Sequence, residues 1–145
     1  MTFEVLIANF KDIVTKHYFD FNGRASRRTY WYFVLVEALL MLVALGLSVA
    51  IGFLGLAVYG LLVLALFFPS LGLGVRRLHD TDRSGWWILL GAVPSVGRIG
   101  LGVVGSLVGL MAIIVLIVWY ATPGTPGSNR YGPDPKVGIE PEIFS

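Results

Sequence analysis

The sequence predicts an all-α integral membrane protein. Its helical bundle has two full spans folded as a hairpin, then a short third helix and a full fourth helix, with an N-terminal amphipathic helix. Three observations carry that reading. Hydrophobic residues make up 56% of the 145 residues and charged residues only 14%, against about 25% charged in ordinary soluble domains. Apart from Glu37, no charged residue occurs between Thr29 and Val75, a stretch that holds two segments of the roughly twenty apolar residues a bilayer crossing needs. Arginines flank that stretch: Arg24, Arg27 and Arg28 before it, Arg76, Arg77 and Arg83 after it. Lys and Arg stay on the cytoplasmic side, so a hairpin places both clusters there.

The chain divides into an interfacial helix (residues 1–20), a transmembrane bundle (21–120) and a Gly/Pro-rich cytoplasmic tail (121–145). In the first part Phe3, Leu6, Ile7, Phe10, Ile13, Val14 and His17 recur at spacings of three and four, which predicts an amphipathic helix from Phe3 to about Lys16. Such a helix either lies in the membrane interface or packs on the cytoplasmic end of the bundle. Asn22-Gly23 is a turn signal. The first span covers about residues 30–51 and opens on an aromatic belt of Tyr30, Trp31 and Tyr32. Ala44, Ser48 and Gly52 form a small-residue stripe on it. The second span covers about residues 55–75. A single helix over residues 38–75 would be about 57 Å long, far beyond a bilayer, so a tight turn near Gly52 to Gly55 is expected. Pro69 and Ser70 are expected to kink the second helix.

Residues 76–85, RRLHDTDRSG, read as a polar cytoplasmic loop, with Asp82 or Ser84 as the cap of the next helix. The apolar stretch 86–120 is long for one span and short for two. Its polar break, Pro94-Ser95-Val96-Gly97-Arg98, predicts a short helix over 86–96 and a full helix over 99–120, with Arg98 snorkelling outward at the turn. Gly102/Ser106 and Gly105/Gly109 are close-packing faces. The rival reading is one kinked span. The tail is turn-rich and non-helical. It is expected to be ordered from Ala121 to about Pro135 and to fray beyond Lys136.

Composition excludes several functions. A net charge of +2 does not suggest nucleic acid, and the absence of Cys rules out disulfides and thiolate metal sites. No cleavable signal peptide is expected, because Glu4 and Asp12 precede the first long apolar run.

Three segments are polar enough to carry chemistry. In FNGRASRRTYW, three arginines beside aromatic rings can clamp a lipid phosphate or serve only as a topology signal. In RRLHDTDRSGWW, Asp80 and Asp82 can hold a divalent ion for a diphosphate substrate and His79 can act as a base. The alternative is a set of Arg–Asp salt bridges that hold the loop. GTPGSNRYGPDP lacks the G-K-[ST] ending of a nucleotide-binding loop. It reads as a turn-rich tail in which Arg130 and Asp134 pair with Asp82 or Arg77. Glu37, inside the first span, is expected to pair with Arg76, Arg77 or Arg98, with proton passage as the alternative.

Together GRASRRTYW, RRLHDTDRSGWW and GTPGSNRYGPDP, in that order, resemble the domain of unknown function 805 family, the YhaH-like bacterial inner-membrane proteins. The resemblance covers about residues 19–135. The residues that carry it are Gly23, Arg24, Ser26, Arg27, Trp31, Arg76, Arg77, His79, Asp80, Arg83, Trp86, Gly124, Gly127, Asn129, Arg130, Gly132 and Asp134. Thr29 stands where relatives often have Glu, and Glu37 where they often have Asn. The stretch 94–120 is longer than in many relatives, which favours two passes. The resemblance implies a small multi-pass inner-membrane protein and no activity.

The functional expectation is a non-enzymatic membrane module with both termini in the cytoplasm. Arg24, Arg27, Arg28, Arg76, Arg77, His79, Arg83 and Arg130 are its candidate lipid- or partner-binding residues. Glu37, Asp80, Asp82 and Asp134 are its structural polar pairs. No catalytic residue, metal or cofactor is expected. The expected partners are anionic membrane lipids, a membrane or cytoplasmic protein, or further copies of the chain, and not nucleic acid. The alternatives are a transporter or channel-like component and a metal-dependent enzyme acting on a lipid phosphate.

Overall fold

The structure, a computed structural model, describes residues 2–136. It contains α1 (Phe3–Lys16), α2 (Arg27–Ile51), α3 (Phe53–Asp80), a 3₁₀ segment (Gly85–Ala92) and α4 (Val93–Ala121). No strand occurs among the described residues, apart from one isolated bridge between Asn129 and Gly132. Among the described residues, three stretches are long and apolar enough to cross a membrane: Arg27–Ile51, Phe53–Asp80 and Gly85–Ala121. The predicted fraying beyond Lys136 lies outside the described residues.

The chain forms two compact units. The first joins the residues up to Phe21 with Arg28–Leu73; the second joins Asn22–Arg27 with the residues after Leu73.

In the first unit, α1 buries Leu6 and Ile13 while Phe3 remains exposed. Phe10 stacks on Phe33 with ring centroids 5.1 Å apart, and the Asn9 side chain donates to the Thr29 carbonyl at 3.0 Å. One residue, Gly52, separates α2 from α3. Its φ of +61° is a left-handed value that a side chain resists. Just beyond it, Gly55 lies against the backbone of Leu47 and Ser48, where no Cβ would fit. Of the predicted small-residue stripe, Ser48 meets Gly55 and Ala44 is buried, whereas Gly52 forms the turn and a Cβ there would meet nothing within 4 Å.

α3 continues through Pro69. Proline has no N–H to give the carbonyl four residues back. That carbonyl, on Ala65, accepts the Tyr18 hydroxyl at 2.7 Å instead. The Ser70 hydroxyl lies 2.7 Å from the Leu66 carbonyl and 2.5 Å from Glu37 Oε1. Glu37 therefore meets a hydroxyl on α3, and not the arginine the sequence suggested. The outward side chains of both helices are apolar: Leu42, Val49, Phe53 and Leu64 are all more than 60% exposed. Such a surface suits a hydrocarbon environment.

In the second unit, Gly102 breaks α4 with φ +55° and ψ −124°. The chain doubles back there. Gly97 meets Gly105 backbone to backbone, and a Cβ on Gly109 would lie 2.5 Å from the Pro94 Cα. Farther along, Trp87 packs edge-on against Trp119 at 5.5 Å. The sequence placed this reversal at residues 94–98. Pro94 instead sits in the first turn of α4, where a missing N–H costs nothing. Arg98 lies inside the helix and does not mark the turn. Gly102 is the hinge, not part of a packing face. The short third helix expected over 86–96 is instead a 3₁₀ segment capped by Ser84, whose hydroxyl accepts the Trp86 N–H at 3.4 Å. Asp82 is not the cap; it takes a left-handed φ of +57°.

Candidate functional site: a buried arginine–aspartate clasp

The polar residues of RRLHDTDRSG do not form a loop throughout. α3 runs five residues past the predicted end, so Arg76 to Asp80 make its last turn. Arginine and histidine are favoured there, because the last carbonyls carry partial negative charge. The segment Asn22–Arg27 docks on the same turn, with the Ala25 N–H donating to the Arg76 carbonyl at 2.9 Å.

Asp80 is the centre. Its side chain is 2% exposed and lies between two guanidinium groups, those of Arg24 and Arg77, which are 1% and 0% exposed. Arg24 Nε and Nη2 each reach Asp80 Oδ1 at 3.0 Å. Arg77 Nη1 donates to Asp80 Oδ2. The remaining donors go to main-chain oxygens. Arg24 donates to the carbonyls of Thr125 (2.6 Å), Gly127 (2.5 Å) and Gly132 (3.4 Å). Arg77 donates to the carbonyl of Tyr120 at 3.0 Å and to that of Thr122. Those two carbonyls belong to the end of α4, where no intrahelical N–H is left to meet them.

The tail is thereby tied to α3. The Thr125 N–H and hydroxyl both donate to the Asp80 carbonyl, at 2.8 and 3.1 Å. Gly124 passes against the Asp80 carboxylate, where a Cβ would collide with its oxygens. The Asn129 amide donates to the His79 carbonyl and to Thr125 Oγ1, both at 2.9 Å. Asn129 and Gly132 exchange backbone hydrogen bonds of 3.0 and 3.1 Å. Asp134 accepts the N–H groups of Lys136 and Gly127, at 3.0 and 3.2 Å. Those bonds, the Lys136 N–H foremost, hold its carboxyl below the usual carboxylate range. Asp134 thus closes a turn of the tail, and the expected pairing with Arg77 does not occur.

His79 stacks flat on Tyr131, with centroids 3.9 Å apart and planes 4° from parallel. Its Nδ1 lies 3.1 Å from the Gly23 carbonyl, which can only accept, so Nδ1 carries the proton. Arg130 pairs with Asp82: Nε lies 3.1 Å from Oδ1, and Nη2 donates to the Asp82 carbonyl at 2.6 Å. This is one of the pairings the sequence suggested.

Arg24 and Arg77 are therefore not surface groups that can reach a headgroup directly; that expectation is corrected by their burial. Nor do Asp80 and Asp82 combine to face a cation. One is enclosed by guanidinium groups and the other holds Arg130. The remaining candidates lie nearer the surface. Arg27 is exposed and donates to the Ala121 carbonyl at 3.2 Å. Arg28 is exposed, with Nε donating to the Tyr32 hydroxyl at 2.8 Å. Arg76 is half-buried. The Arg83 guanidinium lies 4.7 Å from the Trp119 ring centroid and donates to the Thr81 carbonyl at 3.3 Å. Sequence reasoning missed Thr122, Thr125 and Tyr131. Thr122 contributes through its carbonyl, which any residue type has, and Thr125 through its carbonyl, its N–H and its hydroxyl. Only Gly124, against Asp80, leaves a trace in the sequence.

Residues 18–133 match the family described as "Protein of unknown function (DUF805)". The chain is 43% identical over 129 residues to "Inner membrane protein YhaI" of Escherichia coli (strain K12), covering 86% of this chain and 93% of that protein. It is 38% identical over 131 residues, with the same coverage, to "Inner membrane protein YhaH" of the same strain. "Uncharacterized protein YiiR" of that strain is 31% identical over 126 residues, covering 80% of this chain and 86% of that protein. No solved structure matches. A match across most of the chain, together with relatives described as inner membrane proteins, identifies this chain as a membrane protein of the DUF805 family.

Proposed function

We propose that this chain is a non-enzymatic module of the bacterial inner membrane that binds anionic lipid headgroups through the exposed Arg27 and Arg28 and the half-buried Arg83. One observation carries the reading. Arg83 lies on the face of Trp119, and Trp86 and Trp87, only a few residues further on, are 78% and 49% exposed. Indole rings favour the headgroup level of a bilayer, and an arginine held among them sits where lipid phosphates lie. Arg27 and Arg28, at the start of α2, supply the same chemistry beside Trp31 and Tyr32.

The topology belongs to the same proposal. α2 and α3 cross the membrane as one hairpin, and the stretches on either side of Gly102 cross as a second. Eight 3₁₀ residues rise about 16 Å. The helical residues 93–101 add about 13 Å. Together they come close to the hydrocarbon core of about 30 Å. The edge contact of Trp87 with Trp119 then marks one interface of that hairpin, and both termini fall in the cytoplasm. α1 lies along the membrane surface. The transporter reading has only the Glu37–Ser70 pair to rest on.

The test is lipid retention. Each basic residue near an anionic surface contributes roughly 1 kcal/mol. Changing Arg27, Arg28 and Arg83 to Gln should weaken binding of phosphatidylglycerol by about 3 kcal/mol, or roughly 150-fold. Native mass spectrometry of protein released from nanodiscs reads this directly. Equal retention by the triple variant would reject headgroup binding.

A further inference from the structure

The clasp carries an imbalance of charge. Arg24 and Arg77 bring two positive charges to a site that is almost closed to solvent, and Asp80 brings one negative charge. The carbonyls at the end of α4 offset part of the remainder, about half a charge at most. The other oxygens hydrogen-bonded to Arg24, from Thr125, Gly127 and Gly132, are neutral; the Asp134 carboxylate also attracts Arg24, but through space and without an ion pair. Buried ions are costly unless fully paired.

We propose that the Arg24–Arg77–Asp80 clasp is a binding site for a phosphate or diphosphate group, and that the tail from Thr122 to Gly132 is its internal occupant, displaced when the anion binds.

The geometry supports both parts. The carbonyls of Thr125, Gly127 and Gly132 converge on the Nη1 and Nη2 atoms of one guanidinium. Thr122 supplies a further carbonyl to Arg77 Nη2. Several oxygens gathered around paired guanidinium forks is the arrangement a phosphate provides, with the negative charge that carbonyls lack. The tail and a phosphate need the same donors, so they exclude each other.

The tail is also built to leave. None of residues 121–136 is fully buried, and Pro126, Gly127 and Ser128 are exposed. Apart from the Tyr131 ring on His79, main-chain groups and a few polar side chains hold it. Segments with few buried apolar contacts open at low free energy. This inference does not rest on the surface arginines: Arg27, Arg28 and Arg83 donate nothing to Asp80.

The experiment uses the full chain in zwitterionic nanodiscs and follows amide exchange at Thr125, whose N–H is held by the Asp80 carbonyl. One arm adds inorganic pyrophosphate to the buffer; the other places phosphatidic acid in the disc. Exchange at Thr125 should quicken at least tenfold in one arm or both. A response to pyrophosphate assigns a soluble phosphate compound, and a response to phosphatidic acid alone assigns a lipid headgroup. Gly124→Val drives a side chain into the Asp80 carboxylate, so its tail amides should exchange fast without ligand. It should also bind the responding anion at least tenfold more tightly. Arg24→Gln should lose binding, and if that variant does not fold, the Gly124→Val comparison decides alone. Thr125 exchange unmoved in both arms, or no gain in affinity with Gly124→Val, overturns the proposal.

Discussion

Asp80→Asn isolates what the clasp contributes to stability. Asparagine keeps the shape of the side chain and removes its charge. The Asp80 carboxylate, 2% exposed, accepts from Arg24 and from Arg77. In the variant one carboxylate oxygen becomes an NH₂ group that points a donor at a donor. Removing one member of a buried ion pair costs about 3–5 kcal/mol, because the partner charge stays behind without compensation. Here both arginines keep main-chain acceptors, from Thr125 and Gly127 on one side and from Tyr120 on the other. The loss should therefore fall at the lower end, about 3 kcal/mol.

Unfolding by SDS in mixed micelles, followed by circular dichroism, measures that loss. Limited trypsin cleavage at Arg130 reports on the tail in the same samples and should become faster. Combining Asp80→Asn with Arg24→Gln should cost less than the sum of the two single changes, by about 0.5–3 kcal/mol, since each alone strands the other's partner. A loss below about 1 kcal/mol, the size of an exposed pair, with Arg130 no easier to cleave, would refute the idea that Asp80 organises the second unit.

Two further outcomes rest on other contacts. Tyr18→Phe leaves the Ala65 carbonyl without its hydroxyl donor and should destabilise the first unit by about 0.5–1.5 kcal/mol in the same titration. In a Pro69→Ala background, where a backbone N–H returns to that carbonyl, the penalty should vanish; a penalty of equal size would assign it to lost packing. The four-pass topology predicts that a reporter active only outside the cytoplasm stays silent when fused after Ser145, and strong activity there would favour three passes.

The sequence reads well where a single segment decides its own structure. The three-and-four spacing from Phe3 to Lys16 is enough for α1. Uncharged runs of bilayer length suffice for the long helices. It reads poorly where the deciding partner is distant. The string RRLHD is so polar that it looks like a loop. It is helical because Arg77 and Asp80, one turn apart, pair with each other and the end of the helix is covered by two other segments. Pro94 looked like the break in the last apolar stretch, since proline is the usual punctuation. The reversal fell at Gly102, whose backbone accepts a left-handed φ, while Gly97 and Gly105 let the two arms touch. Tyr18 gave no sign of its role. Its acceptor exists only because Pro69, far along the chain, leaves a carbonyl unmet.

The arginines themselves were read by charge, and charge accounts for only part of what they do. Orientation in the membrane depends on Lys and Arg alike, so a lysine at residue 24 or 77 would give the same topology signal. The clasp asks for something a lysine lacks. Arg24 uses Nε, Nη1 and Nη2 toward one carboxylate and three carbonyls. Arg77 spreads its donors over Asp80, Tyr120 and Thr122. A flexible ammonium with three donors on one nitrogen cannot span those acceptors. The guanidinium fork has work to do only once the tail has arrived, since its acceptors besides Asp80 are contributed by residues 120–132. A residue that looks like a topology signal in the sequence can thus be, in the folded protein, the point that ties the tail to α3.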